Sequence, residues 1–215
     1  MKLVVRKIIY AIVITVFVSM NSWAQSALDQ LFKGVQQGDV PLVTGLLDRG
    51  LDPNTADADG VTLLMMASRL GHQDLVRALV ARKANVSARS PHGDTALMFA
   101  CLKGHLEIAR LLIDQGARVN QSGWQPLHYA AFEGRAELIR LLLDKGADKD
   151  ALAPNRHTAL LLAVRGGHLE AVRELLRSDA DYAIEGPKGE TALGLAQERK
   201  ASEVEALLRR AGAVK

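Results

Sequence analysis

Short blocks of apolar and polar residues alternate along most of the chain. Thr62, Thr95, Thr158 and Thr191 each stand just before an alanine- and leucine-rich stretch of about nine residues. A threonine in that place accepts a hydrogen bond from a backbone N–H that an opening helix leaves unpaired, so each marks a helix start. Pro126 falls where a first-turn proline is tolerated. The stretches end at Gly71, Gly104, Gly134 and Gly167, as a left-handed helix cap favours. A second apolar series follows each glycine. Leu106, Ile108, Ala109, Leu111 and Leu112 recur at helical spacing, as do Leu138, Ile139, Leu141 and Leu142, and Leu169, Val172, Leu175 and Leu176. Arg110, Arg140 and Arg173 fall on the opposite face. A turn-rich stretch leads on to the next threonine. The predicted unit is two short antiparallel helices and an extended hairpin finger.

The unit repeats in register. Thr62-Leu63-Leu64, Thr95-Ala96-Leu97, Gln125-Pro126-Leu127, Thr158-Ala159-Leu160 and Thr191-Ala192-Leu193 follow one another at steps of 33, 30, 33 and 33. Gly71-His72, Gly104-His105, Gly134-Arg135 and Gly167-His168 keep those steps. Gly60, Gly93, Gly123, Arg156 and Gly189 do the same, and Gly50, Lys83, Gly116, Gly146 and Asp179 step by 33, 33, 30 and 33. All four series skip three residues at the same place, between Asn120 and Gln125. A period of this length is the mark of a stacked array.

With Gln125-Pro126-Leu127-His128-Tyr129-Ala130-Ala131, Gly104-His105-Leu106-Glu107-Ile108 and Gly116-Ala117-Arg118-Val119-Asn120, the unit resembles the ankyrin repeat over roughly residues 27–215. The resemblance implies an all-α solenoid of stacked helix-turn-helix units with hairpin fingers. Full repeats are placed at 61–93, 94–123, 124–156 and 157–189, between an N-terminal capping repeat at 27–60 and a C-terminal one at 190–215. Helices this short are unstable alone and depend on neighbours to cover their apolar faces. Ala67, Ala100, Ala130, Ala163 and Ala196 mark close helix approach. Gln36, Gln37 and Asp39 at the front, and Gln197, Glu198, Arg199 and Lys200 at the back, suit solvent-facing ends.

The chain has 215 residues, is 48% hydrophobic and 24% charged, and carries a formal charge of +3. Part of that charge belongs to the start. Lys2, Arg6 and Lys7 precede an uncharged run from Ile8 to Val18, and the small residues Ser22 and Ala24 precede Gln25. This is the form of a secretory signal peptide over residues 1–24, ahead of a domain at 25–215. The run is too short to span a membrane unless it takes in Arg6 and Lys7. Removing the leader takes away three positive charges and leaves 24 basic and 24 acidic residues. That neutral balance, with an aromatic content of only 4%, argues against nucleic-acid binding. The expected destination is the periplasm, with no stable membrane insertion after signal removal.

Little in the sequence points to catalysis. His72, His105 and His168 recur at repeat spacing, and equivalent residues of adjacent units lie a helix-packing distance of ~8–10 Å apart, whereas one zinc ion holds nitrogen ligands at ~2.0–2.1 Å. The resemblance implies that they start second helices and bond adjoining backbone, and that His128 bonds the helix-capping region. His92 and His157 are the two left for recognition. Cys101 reads as a small core residue, and as the single cysteine it excludes a disulfide framework. Asn85-Val86-Ser87 and Asn120-Gln121-Ser122 are glycosylation sequons by letter but fall on turn slots. No cofactor, metal or small-molecule substrate is expected.

The resemblance implies instead a non-enzymatic module that binds another protein on a concave face of fingers and first helices. Two other classes stay open: an enzyme, or an inhibitor or immunity-type protein that occludes an enzyme's active site; and a structural or membrane-associated role through a retained leader. The finger slots are Val61, Asp94, Trp124, His157 and Glu190; the slots before the Gly-His marker are Arg69-Leu70, Leu102-Lys103, Phe132-Glu133 and Arg165-Gly166. Leu70, Leu102, Trp124 and Phe132 are expected to form one apolar patch, bordered by Arg69, Lys103, Glu133 and Arg165, with Asp94 and His157 in the finger row. Trp124 either anchors a partner or folds over the shortened finger as local packing.

Overall fold

The computed structural model describes residues 26–213; the leader expected at 1–24 lies outside them. These residues form twelve helices in six antiparallel pairs. The pairs are α1 (26–37) with α2 (Val40–Asp48), α3 (Leu63–Leu70) with α4 (Gln73–Ala81), and α5 (Ala96–Lys103) with α6 (Leu106–Asp114). They continue with α7 (Pro126–Phe132) and α8 (Ala136–Asp144), α9 (Ala159–Gly166) and α10 (Leu169–Arg177), and α11 (Ala192–Glu198) and α12 (Ser202–Arg210). Each expected full repeat holds one pair. First helices stack in the order α3, α5, α7, α9, α11; second helices α2, α4, α6, α8, α10, α12 form a parallel layer behind them.

Local signals set the helix starts. The hydroxyls of Thr62, Thr95, Thr158 and Thr191 accept from the backbone N–H three residues on, at 3.1–3.3 Å. Gln125 replaces threonine before α7 and caps nothing with its side chain. His128 compensates: its Nδ1 accepts from the Gln125 N–H at 3.0 Å. Nε2 must then carry the ring proton, and it donates to the Ala151 carbonyl at 2.9 Å. Burial holds the His128 pKa below its usual value, against the opposing pull of that carbonyl. His128 does serve the capping region, as the resemblance implied.

Packing between repeats is fixed by small residues. Ala67, Ala100, Ala130, Ala163 and Ala196 are all fully buried. His72, His105 and His168 begin α4, α6 and α10, and each Nε2 reaches a carbonyl of the preceding repeat: Gln36 at 3.1 Å, Arg69 at 3.3 Å and Phe132 at 3.0 Å. They are inter-repeat ties. Cys101 is fully buried, and its thiol pKa is pushed far up by that burial, so the core reading holds.

A second tie runs along the finger bases. Asn54 Oδ1 accepts from the Asn85 N–H at 2.7 Å, Asn120 Oδ1 from Asp148 at 2.9 Å, and Asp150 Oδ1 from Asp181 at 2.8 Å. The rung that Ser87 would make to Arg118 is missing, because a serine hydroxyl stops one bond short. A cavity of about 30 Å³ lies there, lined in part by Ser87, Ala117, Arg118 and Gln121. Ser87→Asn is expected to complete the ladder and stabilise the fold by ~1 kcal/mol, read as a rise of a few degrees in thermal midpoint. An unchanged midpoint would show that the rungs follow the fold rather than support it.

Four fingers close in one way. Asp57, Ser90, Ala153 and Gly186 donate their N–H to the carbonyls of Val61, Asp94, His157 and Glu190, and then accept from Gly60, Gly93, Arg156 and Gly189. The closing residue has positive φ in each, including Arg156 at +60°, where a side chain is strained. The first finger also carries an isolated antiparallel bridge between Ala56 and Thr62, and no strand occurs among the described residues. The shortened finger lacks room for this closure. There Gln121 Nε2 donates to the Trp124 carbonyl at 2.9 Å, and Gln125 Nε2 donates to the Gln121 carbonyl at 3.0 Å. Two side-chain amides do what backbone does elsewhere.

The array ends are polar as expected. Gln36 and Gln37 are exposed, as are Gln197 to Lys200. Asp39 has a further role: it caps α2 by accepting from the Leu42 N–H at 2.9 Å.

Candidate protein-binding surface

The shortened finger and the first helices beside it frame one apolar cleft. Leu102 comes from α5, Trp124 from the finger, and His128, Tyr129 and Phe132 from α7; the space between them is about 180 Å³. Helical spacing puts Tyr129 and Phe132 on one face of α7, three positions apart. The repeat stack brings Leu102, which occupies the same slot as Phe132 one unit earlier, alongside.

Trp124 is half-buried. Its ring meets His128 edge-on at 5.8 Å and 90°, and Tyr129 at 5.9 Å and 60°, geometries that aromatic pairs favour. Trp124 thus packs locally, on two side chains of α7, and also forms a wall of the cleft. Phe132 is 57% exposed, a large apolar side chain left facing water. The Tyr129 hydroxyl donates to Asp94 Oδ1 at 2.5 Å. Burial, and then that hydrogen bond, raise the Tyr129 pKa, so the phenol stays protonated.

The expected patch is thus partly assembled. Leu102, Trp124 and Phe132 come together in the cleft, whereas Leu70, exposed at the end of α3, is not in its lining. Arg69 is exposed and lies over the Phe99 ring at 5.6 Å. Glu133 is half-buried and pairs with Arg135 at 3.7 Å, while Lys103 and Arg165 are exposed. Asp94 is half-buried against Tyr129.

His157 requires a correction. It is only 5% exposed, with Nδ1 at 3.0 Å from the Asn155 carbonyl and Nε2 at 3.3 Å from Glu190. It joins two adjacent fingers from inside and offers no surface to a partner. A histidine is long enough to fold back under its own finger, which its slot in the repeat did not reveal. His92 is exposed, as expected.

Tyr129 and His128 were missed as wall residues. The signal was present: Tyr129 lies three positions before Phe132 on the same helix, so any surface containing one contains the other. Leu152, 43% exposed on the finger between α8 and α9, was also missed.

Stacked helix pairs, paired fingers and an apolar cleft among first helices define a repeat scaffold built to present a surface. The chain belongs to the ankyrin-repeat family. The family model for ankyrin repeats (3 copies) matches residues 31–122, 83–153 and 127–214. Among solved structures, the chain is similar to the human ASB11 ankyrin repeat domain, at 27% identity and a TM-score of 0.80, over 86% of this chain and 84% of that one. No curated protein sequence matches the chain significantly. Ankyrin-repeat domains are in general protein–protein interaction modules, and the fold is typically a non-enzymatic scaffold.

Proposed function

We propose that the protein is a binding module exported to the periplasm, and that its partner protein docks along the first helices and fingers, centred on the cleft of Leu102, Trp124, Tyr129 and Phe132. The observation that carries this is the exposure of Phe132 beside Trp124. An apolar centre with aromatic anchors and a charged border has the anatomy of an interface. The scaffold beneath is ordered on folding, so little conformational freedom remains to be lost on docking. Export rests on the form of residues 1–24. Among the described residues no helix is long and apolar enough to cross a membrane.

The double variant Trp124→Ala, Phe132→Ala is expected to weaken binding to the partner captured from a periplasmic extract by about 30-fold or more, the scale of two hot-spot residues, with an unchanged helical signal. Capture at full strength by that variant would remove the cleft from the interface. Mass measurement of the exported chain checks the other half; a mature chain that begins before Gln25 would contradict cleavage there.

A further inference from the structure

The cleft has a charge character that the hydrophobicity of its walls conceals. Three aromatic rings line it, and the carboxylate that touches its wall, Asp94, is bound to the Tyr129 hydroxyl. No cationic side chain is part of the lining. The one titratable base there, His128, has its Nδ1 lone pair occupied by the Gln125 N–H and its other nitrogen on the Ala151 carbonyl. Burial favours its neutral form. Of the neighbouring cations, Arg69 is stacked on Phe99 and Arg135 is paired with Glu133. Lys103, one residue beyond Leu102, and Arg165, in the Phe132 slot of the next repeat, are exposed and lie outside the lining, as does Asp94, which reaches the cleft only through its bond to Tyr129.

We infer that this cleft receives a lysine side chain presented by the partner protein. The inference rests on the docking surface proposed above and names the chemistry of its central contact. The aliphatic stem of a lysine packs against Leu102 and Phe132, and its ammonium meets the rings of Trp124 and Tyr129 next to Asp94. Cations bind the electron-rich faces of aromatic rings, most strongly where water is excluded. Tyr129 is favoured further, because a phenol donating to a carboxylate gains electron density in its ring. Lysine is preferred to arginine because Asp94 has one oxygen already committed to Tyr129. A single free oxygen suits a point-charge ammonium, whereas the planar guanidinium fork prefers two.

The test uses three pentapeptides with blocked ends, identical except for lysine, norleucine or arginine at the centre. Norleucine keeps the stem and lacks the charge. Each is titrated into the full-length protein at millimolar concentration, with the Trp124 indole and Tyr129 ring signals followed by NMR. The lysine peptide is expected to shift both signals and to bind about ten-fold more tightly than the norleucine peptide. Asp94→Asn, which can still accept from Tyr129, is expected to remove most of that ten-fold preference. Equal binding of lysine and norleucine would overturn the inference and leave the cleft as a plain apolar docking site. Tighter binding of arginine would overturn the choice of lysine. Silence of both ring signals with every peptide would overturn the inference outright. The docking surface is judged separately, since it stands or falls with partner capture by the Trp124→Ala, Phe132→Ala variant.

Discussion

Leu127→Ala is expected to destabilise the protein by ~2–5 kcal/mol and to break its unfolding into separable steps. Leu127 is 1% exposed at the start of α7, and α7 packs against α5 on one side and α9 on the other. A cavity at that point weakens two repeat interfaces at once. In a linear array each unit is held only by its neighbours, so a weak centre uncouples the two ends. Leu208→Ala makes a useful contrast. Leu208 is fully buried in α12, the last helix of the row, and its loss is expected to fray the final unit while the remaining transition stays in place. Urea unfolding followed by circular dichroism separates the two patterns. A single, equally shifted transition in both variants would mean that the array behaves as one closed globule.

Gly134→Ala is expected to cost more than its backbone conformation alone explains. Gly134 has φ +68°, where any L residue pays ~1–2 kcal/mol. A β-carbon there would also lie 2.5 Å from Cγ of His168 in the next repeat. The ring must move, and its 3.0 Å bond to the Phe132 carbonyl breaks, adding ~1–3 kcal/mol for a polar group left unpaired. Gly146→Ala isolates the difference. It has φ +82° and nothing within 4 Å of the added carbon, so it should lose only the conformational part. Equal losses in the two variants would mean that the histidine tie contributes nothing. Gly71, whose added carbon would meet the His105 ring at 2.7 Å, should behave like Gly134.

The repeat register shows why so much of the architecture was readable in advance. Capping threonines, closing glycines and buried alanines act through the backbone within a few residues of themselves. Their roles are therefore the same in every unit and can be read from the letters. The departures were also visible. Lys83 and Asp179 stand where other units carry glycine, and each adopts positive φ, at +66° and +57°. Stacking imposed the conformation even where the residue type resists it.

The binding cleft was legible only in part. Leu102, Trp124 and Phe132 were named from their slots, because a slot fixes which way a first-helix residue faces. Slots do not fix side-chain rotamers. His157 turned inward to Glu190, Tyr129 reached 35 positions back to Asp94, and Leu70 stayed outside the cleft. Those outcomes depend on which side chains meet between units.

The sequence alone determined the period, the order of helices, the close-packed faces and the place where three residues are missing, since each is written in spacing and local backbone chemistry. Only the tertiary structure decided how the shortened finger closes, through the amides of Gln121 and Gln125, and which aromatic rings surround the resulting cleft. The reason is physical. Local signals are settled by hydrogen bonds a few residues long, but a surface between repeats is settled by side chains that come together only when neighbouring units stack.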